Sequence, residues 1–202
     1  MINYPLYPPT DAKTTESSFS LIAANVVGVN QSPYNYNSQV YDYNSESWGL
    51  KVSVNPLTRA EAQPWIAFLT ALRGRRGTFM WGPVIMSEPL GVGLGVPVVN
   101  GADQNGRELS TSGWNVQTQI LRAGDLFQID QRLYMSLTAA TSDINGNATL
   151  DVFPRLKNHA NGSALILGNP KGIFKLTSNV VPVIDVSESG LFNINFEAEE
   201  AL

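Results

Sequence analysis

Catalysis requires reactive side chains held close together, and few residues of this sequence could supply such chemistry. The chain has one histidine, His159, and no cysteine. A lone histidine lacks the further His, Cys or carboxylate ligands of a zinc site. A serine nucleophile would need the same histidine, and no serine lies in the Gly-x-Ser-x-Gly pattern of a nucleophile elbow. Because His159 lies in the polar segment 157–162, we predict a solvent-exposed loop histidine and no enzyme activity.

Two further segments match ligand-binding loops only in part. Asp143-Ile144-Asn145-Gly146 has the opening of a calcium loop, but its glycine comes at position 4 rather than 6, and position 12 is Pro154. We therefore predict a tight hairpin turn at the Asn-Gly pair. Gly91-x-Gly93-x-Gly95 has the spacing of a phosphate-binding loop, but Pro97 follows and no helix begins there. No cofactor or metal is expected.

The composition excludes several classes of protein. The net charge is −4, which argues against nucleic-acid binding, and the absence of cysteine rules out disulfides. The N-terminus has no signal-peptide pattern and no window approaches 18 apolar residues, so we expect synthesis in a cytoplasm and no membrane insertion. Charged residues make up only 15% of the chain, against the usual ~25%. One hypothesis is that much of the surface is buried against other subunits.

Two clusters of side chains could mediate recognition. Arg73, Arg75 and Arg76 follow a predicted helix, where cations oppose the negative end of the helix dipole. Salt bridges between subunits are the alternative for the same arginines. The aromatic residues of the second cluster could stack on sugar rings or pair across strands of a sheet, and we favour the second interpretation. They are Tyr34, Tyr36, Tyr41, Tyr43 and Trp48.

The pattern of apolar residues predicts strands in the N-terminal third of the sequence. Ser18–Val29 is apolar at both parities, which indicates a strand covered on both faces. Gln39–Tyr43 and Trp48–Val54 are predicted as two strands around a turn at Asn44–Ser47. We expect the first strand to pair with the last, predicted at Leu191–Glu197, and this pairing would account for its coverage.

One helix is predicted from about Ala60 to Leu72. Thr58 and Glu61 match a capping box, and an apolar stripe at helical spacing follows. Pro64 predicts either a kink or the start of a second helical piece. Gly74 is the expected terminating residue.

The remaining sequence consists of short apolar segments separated by turns. We predict a mainly β protein with one helix, in which a β-sandwich-like lobe is interrupted by a small antiparallel β-barrel. The predicted boundaries are 1–88 for the first part of the sandwich lobe, 89–158 for the inserted barrel, and 159–202 for the strands that complete the lobe.

Several motifs resemble the distal tail proteins of long, flexible-tailed phages. The helix Ala60–Leu72, the segment Gly74-Arg75-Arg76-Gly77-Thr78-Phe79 with Pro83, and the segment Gly101–Gly106 leading to Gly113-Trp114 carry part of the resemblance. The strings Leu121–Ile129, Leu133-Tyr134 and Gly146–Pro154 are similar to a β module that recurs in phage tail and virion proteins. The resemblance covers roughly residues 58–177.

The resemblance implies a ring at the tail tip, usually a hexamer, built from a sandwich lobe called the belt domain. Such a ring lies between the tail tube and the central hub, and it often anchors receptor-binding proteins. The implied location is the virion tail, after assembly in a bacterial cytoplasm. We place the ring interface near Arg75, Arg76, Gly91, Gly93 and Gly95. A carbohydrate-binding β module for host attachment, or another tail or baseplate connector, is the alternative function.

Overall fold

The computed structural model describes residues 2–9, 18–92, 95–181, 184–188 and 190–201. Strands account for 50% of the structure and helical segments for 11%, with one α-helix and antiparallel sheets. This confirms the predicted fold class. The α-helix, α1, spans Arg59–Leu72. The strands are β1 (Ser18–Gln31), β2 (Ser38–Leu57), β3 (Thr78–Trp81), β4 (Gly95–Val99), β5 (Gly106–Trp114), β6 (Gln119–Leu121), β7 (Leu126–Ile129), β8 (Arg132–Ser136), β9 (Ala140–Thr141), β10 (Ala148–Leu156), β11 (Leu165–Ile166), β12 (Gly172–Leu176) and β13 (Phe192–Glu200).

The first sheet has five strands in the order β1-β2-β13-β12-β3. β2 therefore lies between the first and last strands, and the predicted pairing of β1 with β13 is wrong. The prediction that β1 is covered on both faces is also wrong, because nearly all of its residues are exposed. Leu21 packs against the core and the ring of Phe19 meets that of Trp81 at 5.2 Å, whereas the valines Val26, Val27 and Val29 are exposed.

β2 is a single strand of 20 residues. The predicted turn at Asn44–Ser47 is wrong, because a bulge replaces it. The register with β1 shifts between Val26 and Val27, and Asn44 adopts a left-handed conformation with φ of 56°. The Asn44 N–H donates to Oδ1 of Asp42 at 2.8 Å, which satisfies the amide that the bulge frees. Such bulges bend a hairpin without ending it.

The helix covers one face of the first sheet. It begins where Thr58 and Glu61 predict, and the Thr58 N–H donates to the Glu61 carboxylate at 2.8 Å. Pro64 is exposed within one continuous helix, so no second helical piece forms. The buried face of the helix packs on alternate side chains of β2, which bury their apolar area at roughly 1.5–3 kcal/mol for each large side chain. The buried residues are Ala62, Trp65, Phe68, Leu69 and Leu72 on the helix, and Trp48, Leu50, Val52 and Val54 on β2.

The second sheet forms a small, nearly closed barrel. Its six strands have the order β11-β7-β8-β10-β5-β4, and all of them lie between residues 95 and 166. Its edges meet because the Val99 N–H donates to the Ser163 carbonyl and the Gly162 N–H donates to the Val99 carbonyl, both at 2.9 Å. The strands of the first sheet lie on both sides of this segment in the chain. The predicted boundaries at residues 88 and 158 stay predictions, and β11 lies beyond the second of them.

The barrel and the first sheet share a hydrophobic core. Leu126, Leu133 and Phe153 of the barrel belong to the cluster built by β2 and the helix. Trp48 fixes the contact, because its indole N–H donates to the Leu133 carbonyl at 3.0 Å and its ring meets that of Phe153 at 4.7 Å. A second cluster fills the barrel interior.

Candidate functional site

The predicted interface arginines lie just after α1, in the short 3-10 helix Gly74–Arg76. Arg75 donates to the Glu199 carboxylate at 3.1 Å, and Lys175 lies 3.5 Å from the same oxygen. Arg75 therefore has a partner within its own chain. Arg76 is exposed. A role of the two arginines between subunits stays a prediction.

The glycine tract is packed against its own chain. The amides of Leu90 and Gly91 donate to the carboxylate of Asp125 at 2.9 and 3.0 Å. A Cβ at Gly91 would lie 2.3 Å from the Ile120 carbonyl oxygen. These contacts within the chain explain why residue 91 is a glycine, and the explanation requires no partner molecule.

Gly95, the last glycine of the tract, needs its freedom of backbone conformation. It has φ of +123°, and an added Cβ would meet the Gly113 carbonyl oxygen at 2.4 Å. Gly93 lies outside the described residues. An interface at this tract stays a prediction.

The carboxylate of Asp125 organises the start of the barrel, and sequence reasoning did not single it out. It is buried, and besides the glycine tract it accepts a hydrogen bond from the Arg122 N–H at 2.7 Å. Three backbone donors therefore occupy both oxygens of this carboxylate. The sequence did offer a signal for this role, because Asp125 lies in a turn three residues after Arg122. Aspartate side chains in turns commonly accept hydrogen bonds from nearby backbone N–H groups.

His159 is buried, so the prediction of an exposed loop histidine is wrong. Its side chain is 7% exposed, and Nε2 lies 2.8 Å from the hydroxyl of Tyr134. Nδ1 lies 2.7 Å from Oδ2 of Asp130. The tyrosine is fully buried, and burial raises its pKa from the usual value of 10.0. Because the hydroxyl is out of reach of solvent, this arrangement ties the loop to the barrel and offers no nucleophile to a substrate.

An ion pair joins the barrel to the first sheet. Nε of Arg132 lies 2.6 Å from the carboxylate of Glu200, and both side chains are buried. The second carboxylate oxygen accepts the Trp48 N–H at 3.2 Å. Burial raises the pKa of Glu200 from its usual value of 4.5, and the charge of Arg132 opposes that effect. The arrangement holds two sheets together.

The segment around Asp143 forms the predicted turn. Oδ1 of Asp143 accepts the N–H groups of Asn145 and Asn147 at 2.7 and 2.8 Å. These bonds, led by that from Asn147, lower the pKa of Asp143 below 3.8. The carboxylate of Asp143 is therefore engaged by backbone N–H groups of the turn.

Within the described ranges, no group of three or more His, Asp or Glu side chains could hold a metal ion. No described helix is long and apolar enough to cross a membrane.

The exposed surface that stands out is a hairpin. β13 pairs with β2 only from Gly49 to Leu57, so the distal part of the β1–β2 hairpin lies outside the sheet. We call residues 26–45 the arm. The apolar and aromatic side chains of the arm are exposed on both faces, up to 94% at Tyr34. They are Val26, Val27, Val29, Val40, Tyr34, Tyr36, Tyr41 and Tyr43.

The tyrosines of the arm do not pair with one another. None of the described ring pairs includes them, so the predicted cross-strand aromatic pairing is absent, and Trp48 packs into the core. The ring of Tyr43 lies over Gly28, where an added Cβ would meet its Cε2 atom at 3.3 Å.

An ion pair fixes the base of the arm. The carboxylate of Glu46, which is nearly inaccessible, accepts hydrogen bonds from Nε of Arg107 at 3.1 Å and from Nη2 of the same residue. Arg107 belongs to β5 of the barrel, and this hydrogen bond raises its pKa from its usual value. The arm is therefore anchored at one end while its remaining length is open to solvent.

Comparison with known proteins gives no family for this chain. No protein-family model matches it, and no curated protein matches it.

Proposed function

We propose that this protein is a non-enzymatic structural subunit of a phage tail tip, which assembles with copies of itself into a ring. The resemblance of its motifs to distal tail proteins supports the tail assignment and leads us to expect six copies. In this role the ring joins the tail tube protein to the hub protein and anchors further baseplate parts, including receptor-binding proteins.

The arm is the observation that carries the proposal. An isolated two-stranded hairpin is at best marginally stable in water, and soluble monomers rarely expose contiguous apolar patches. The arm exposes valines and tyrosines on both faces. A structural subunit accounts for these side chains because assembly would bury them, whereas an enzyme acting as a monomer would gain nothing from them.

Electron microscopy of the purified protein tests the proposal. We expect class averages with rotational symmetry and a central channel, and a mass by analytical ultracentrifugation about six times that of the 22.0 kDa chain. A species that stays monomeric from low to high protein concentration overturns the proposal of a self-assembling ring.

The exposed tyrosines at the end of the arm favour one second candidate, a carbohydrate-binding module for host attachment. Aromatic side chains with a free face are the stacking platforms that sugars use, and Tyr34 and Tyr36 are 94% and 77% exposed. This candidate predicts binding on a glycan array that Tyr34→Ala with Tyr36→Ala abolishes. Absence of glycan binding by the wild-type protein eliminates it.

A further inference from the structure

The arm has two free strand edges. On one side β1 is the edge of the first sheet, because its only strand partner among the described residues is β2. On the other side the arm part of β2 has no second strand beside it in the described chain, because β13 reaches only as far as Gly49. The opposite edge of the sheet is partly covered, since Leu6 exchanges hydrogen bonds with Thr78 and Met80 of β3 at 2.9 and 2.8 Å. The barrel edges meet each other. The long free edges of the described chain are therefore both on the arm.

The two edges carry few of the features that keep exposed strands apart. Natural edge strands are protected by lysines, inward charges, prolines, bulges or short length. The arm has one bulge, between Val26 and Val27, and its β1 part, residues 26–31, contains no charged residue and no proline. The arm part of β2 contains one charge, Asp42, whose carboxylate caps the Asn44 amide. Pro33 lies in the turn between the two strands. Such edges are suited to pairing with another strand.

The apolar area of the arm matches that of a stable interface. A fully buried aromatic side chain contributes ~150–250 Å². The four tyrosines are half to nine-tenths exposed, so they can bury roughly 400–700 Å². The valines bring the exposed apolar area of the arm close to the ~800 Å² that each partner of a standard interface contributes, which is an upper limit for what a second arm can bury. Pairing of strand edges buries part of this area and also satisfies the free backbone groups of both edges.

We infer that the β1 edge of the arm pairs with the β2 edge of the arm in a second copy of this chain, head to tail. This inference rests on the proposed self-assembly and names the surface that performs it. Pairing of β1 with β1 across a two-fold axis would leave both β2 edges free. Head-to-tail pairing uses both edges of every arm, and repetition by rotation closes a ring without any leftover edge.

A lysine on the arm tests whether this surface carries assembly. Val29→Lys places a charge on the edge strand β1 at a residue that is 66% exposed, so we expect the variant to fold as wild type does. We expect the concentration for half-assembly to rise by at least about tenfold, because a lysine on an edge strand disfavours pairing with another strand. Val116→Lys, at an exposed valine in a turn of the barrel, is the matched control and should assemble as wild type does. Equal assembly of both variants overturns the inference while leaving the ring intact.

Cross-linking tests which edges meet. The chain has no native cysteine, so single introduced cysteines report only their own contacts. Asn30→Cys on β1 and Gln39→Cys on β2 face each other within one hairpin, so each is placed in a separate copy and the two are mixed. Arms related by rotation point the same way, which brings the tip end of β1 beside the tip end of β2 in the next copy. A bis-maleimide reagent has enough reach to tolerate a shift of two residues in register.

We expect more cross-linked dimer in the mixture than with either variant alone, because the mixed pair lies on neighbouring strands whereas identical positions of neighbouring arms are two strands apart. Ile144→Cys, exposed on a turn of the barrel, is the control and should not cross-link with either variant. Asn30→Cys alone cross-linking at least as well as the mixture would overturn the head-to-tail order. Assembled protein without any cross-link also overturns the inference. A wild-type monomer overturns the proposed function itself, so the two failures are distinguishable.

Discussion

At the scale of single residues, polar side chains that could have been catalytic are bonded to the fold. His159 satisfies the buried hydroxyl of Tyr134 and ties it to Asp130 at the surface. An unpaired buried hydroxyl costs about 1–3 kcal/mol. The histidine is therefore an element of stability.

The first prediction concerns the contribution of His159 to stability. His159→Phe leaves the Tyr134 hydroxyl with only a long 3.4 Å contact from the Lys157 N–H, so we expect a loss of about 1–3 kcal/mol in the free energy of unfolding. Tyr134→Phe added to that variant removes the orphaned group and should recover part of the loss. Urea unfolding of the single and double variants measures both. A double variant that is no more stable than His159→Phe would show that the orphaned hydroxyl is not the cause of the loss.

Asp143 makes a prediction about pH. Its pKa is lower in the folded state than its usual 3.8, because backbone N–H groups stabilise the carboxylate. The unfolded chain therefore takes up this proton first. The stability that the carboxylate contributes is complete above pH 3.8 and is lost as the pH falls through the folded value. Asp143→Asn keeps an oxygen acceptor but has no charge to titrate, so the stability advantage of wild type over this variant should shrink on acidification below pH 4. Thermal unfolding across pH 2–6 measures it, and an advantage that is constant with pH contradicts it.

At the scale of elements, tight backbone contacts fix the joint between the sheets. The segment at Gly91 crosses β6 so closely that the atoms facing it are backbone, with no flexible side chain able to move away. We expect Gly91→Ala to lose about 1–3 kcal/mol through overpacking. Gly168→Ala is the control, because its nearest heavy atom, on Glu88, lies 3.6 Å from the added Cβ. Chemical denaturation compares them, and equal stability of the two variants would contradict the packing argument.

Local patterns in the sequence predict the elements whose cause is local. The helix begins at the predicted cap because Thr58 and Glu61 are three residues apart, and the turn at Asp143 follows from its neighbours. The surroundings of β1 could not be predicted from the sequence. A strand with apolar residues at both odd and even positions has the same pattern whether its own chain or another molecule covers it. His159 was misplaced because its partners Tyr134 and Asp130 lie 25 and 29 positions away. The glycine tract and the arginines remain predicted interface residues.

At the scale of the whole molecule, the two lobes are bound through one core and one buried ion pair. Glu200→Gln would leave Arg132 as an unpaired buried charge, which costs about 3–5 kcal/mol. Replacing both partners, as Arg132→Met with Glu200→Gln, should cost much less than that, because no charge then stays buried and the Gln oxygen can still accept the Trp48 N–H. Urea unfolding tests this, and a double variant as unstable as Glu200→Gln would contradict it.

Because barrel residues belong to the core of the first sheet, we expect both lobes to unfold together. The unfolding transition followed by tryptophan fluorescence, which reports Trp48, Trp65 and Trp81 in the first lobe and Trp114 in the barrel, should coincide with that followed by far-UV circular dichroism in every variant that is still folded. Two separate transitions would show that the lobes are independent.

The central position of β13 governs the order of events while the chain is being synthesised. β13 follows every other strand of the first sheet in sequence, yet it lies between β2 and β12. The Trp48 N–H and its Glu200 acceptor are 152 positions apart. Until residues 192–200 leave the ribosome, the β1–β2 hairpin has no central partner, and its apolar face is open to chaperones or to aggregation. Pairing over such a distance in sequence is also slow. We therefore expect the growing chain to form its barrel first and to complete the first sheet when β13 joins it.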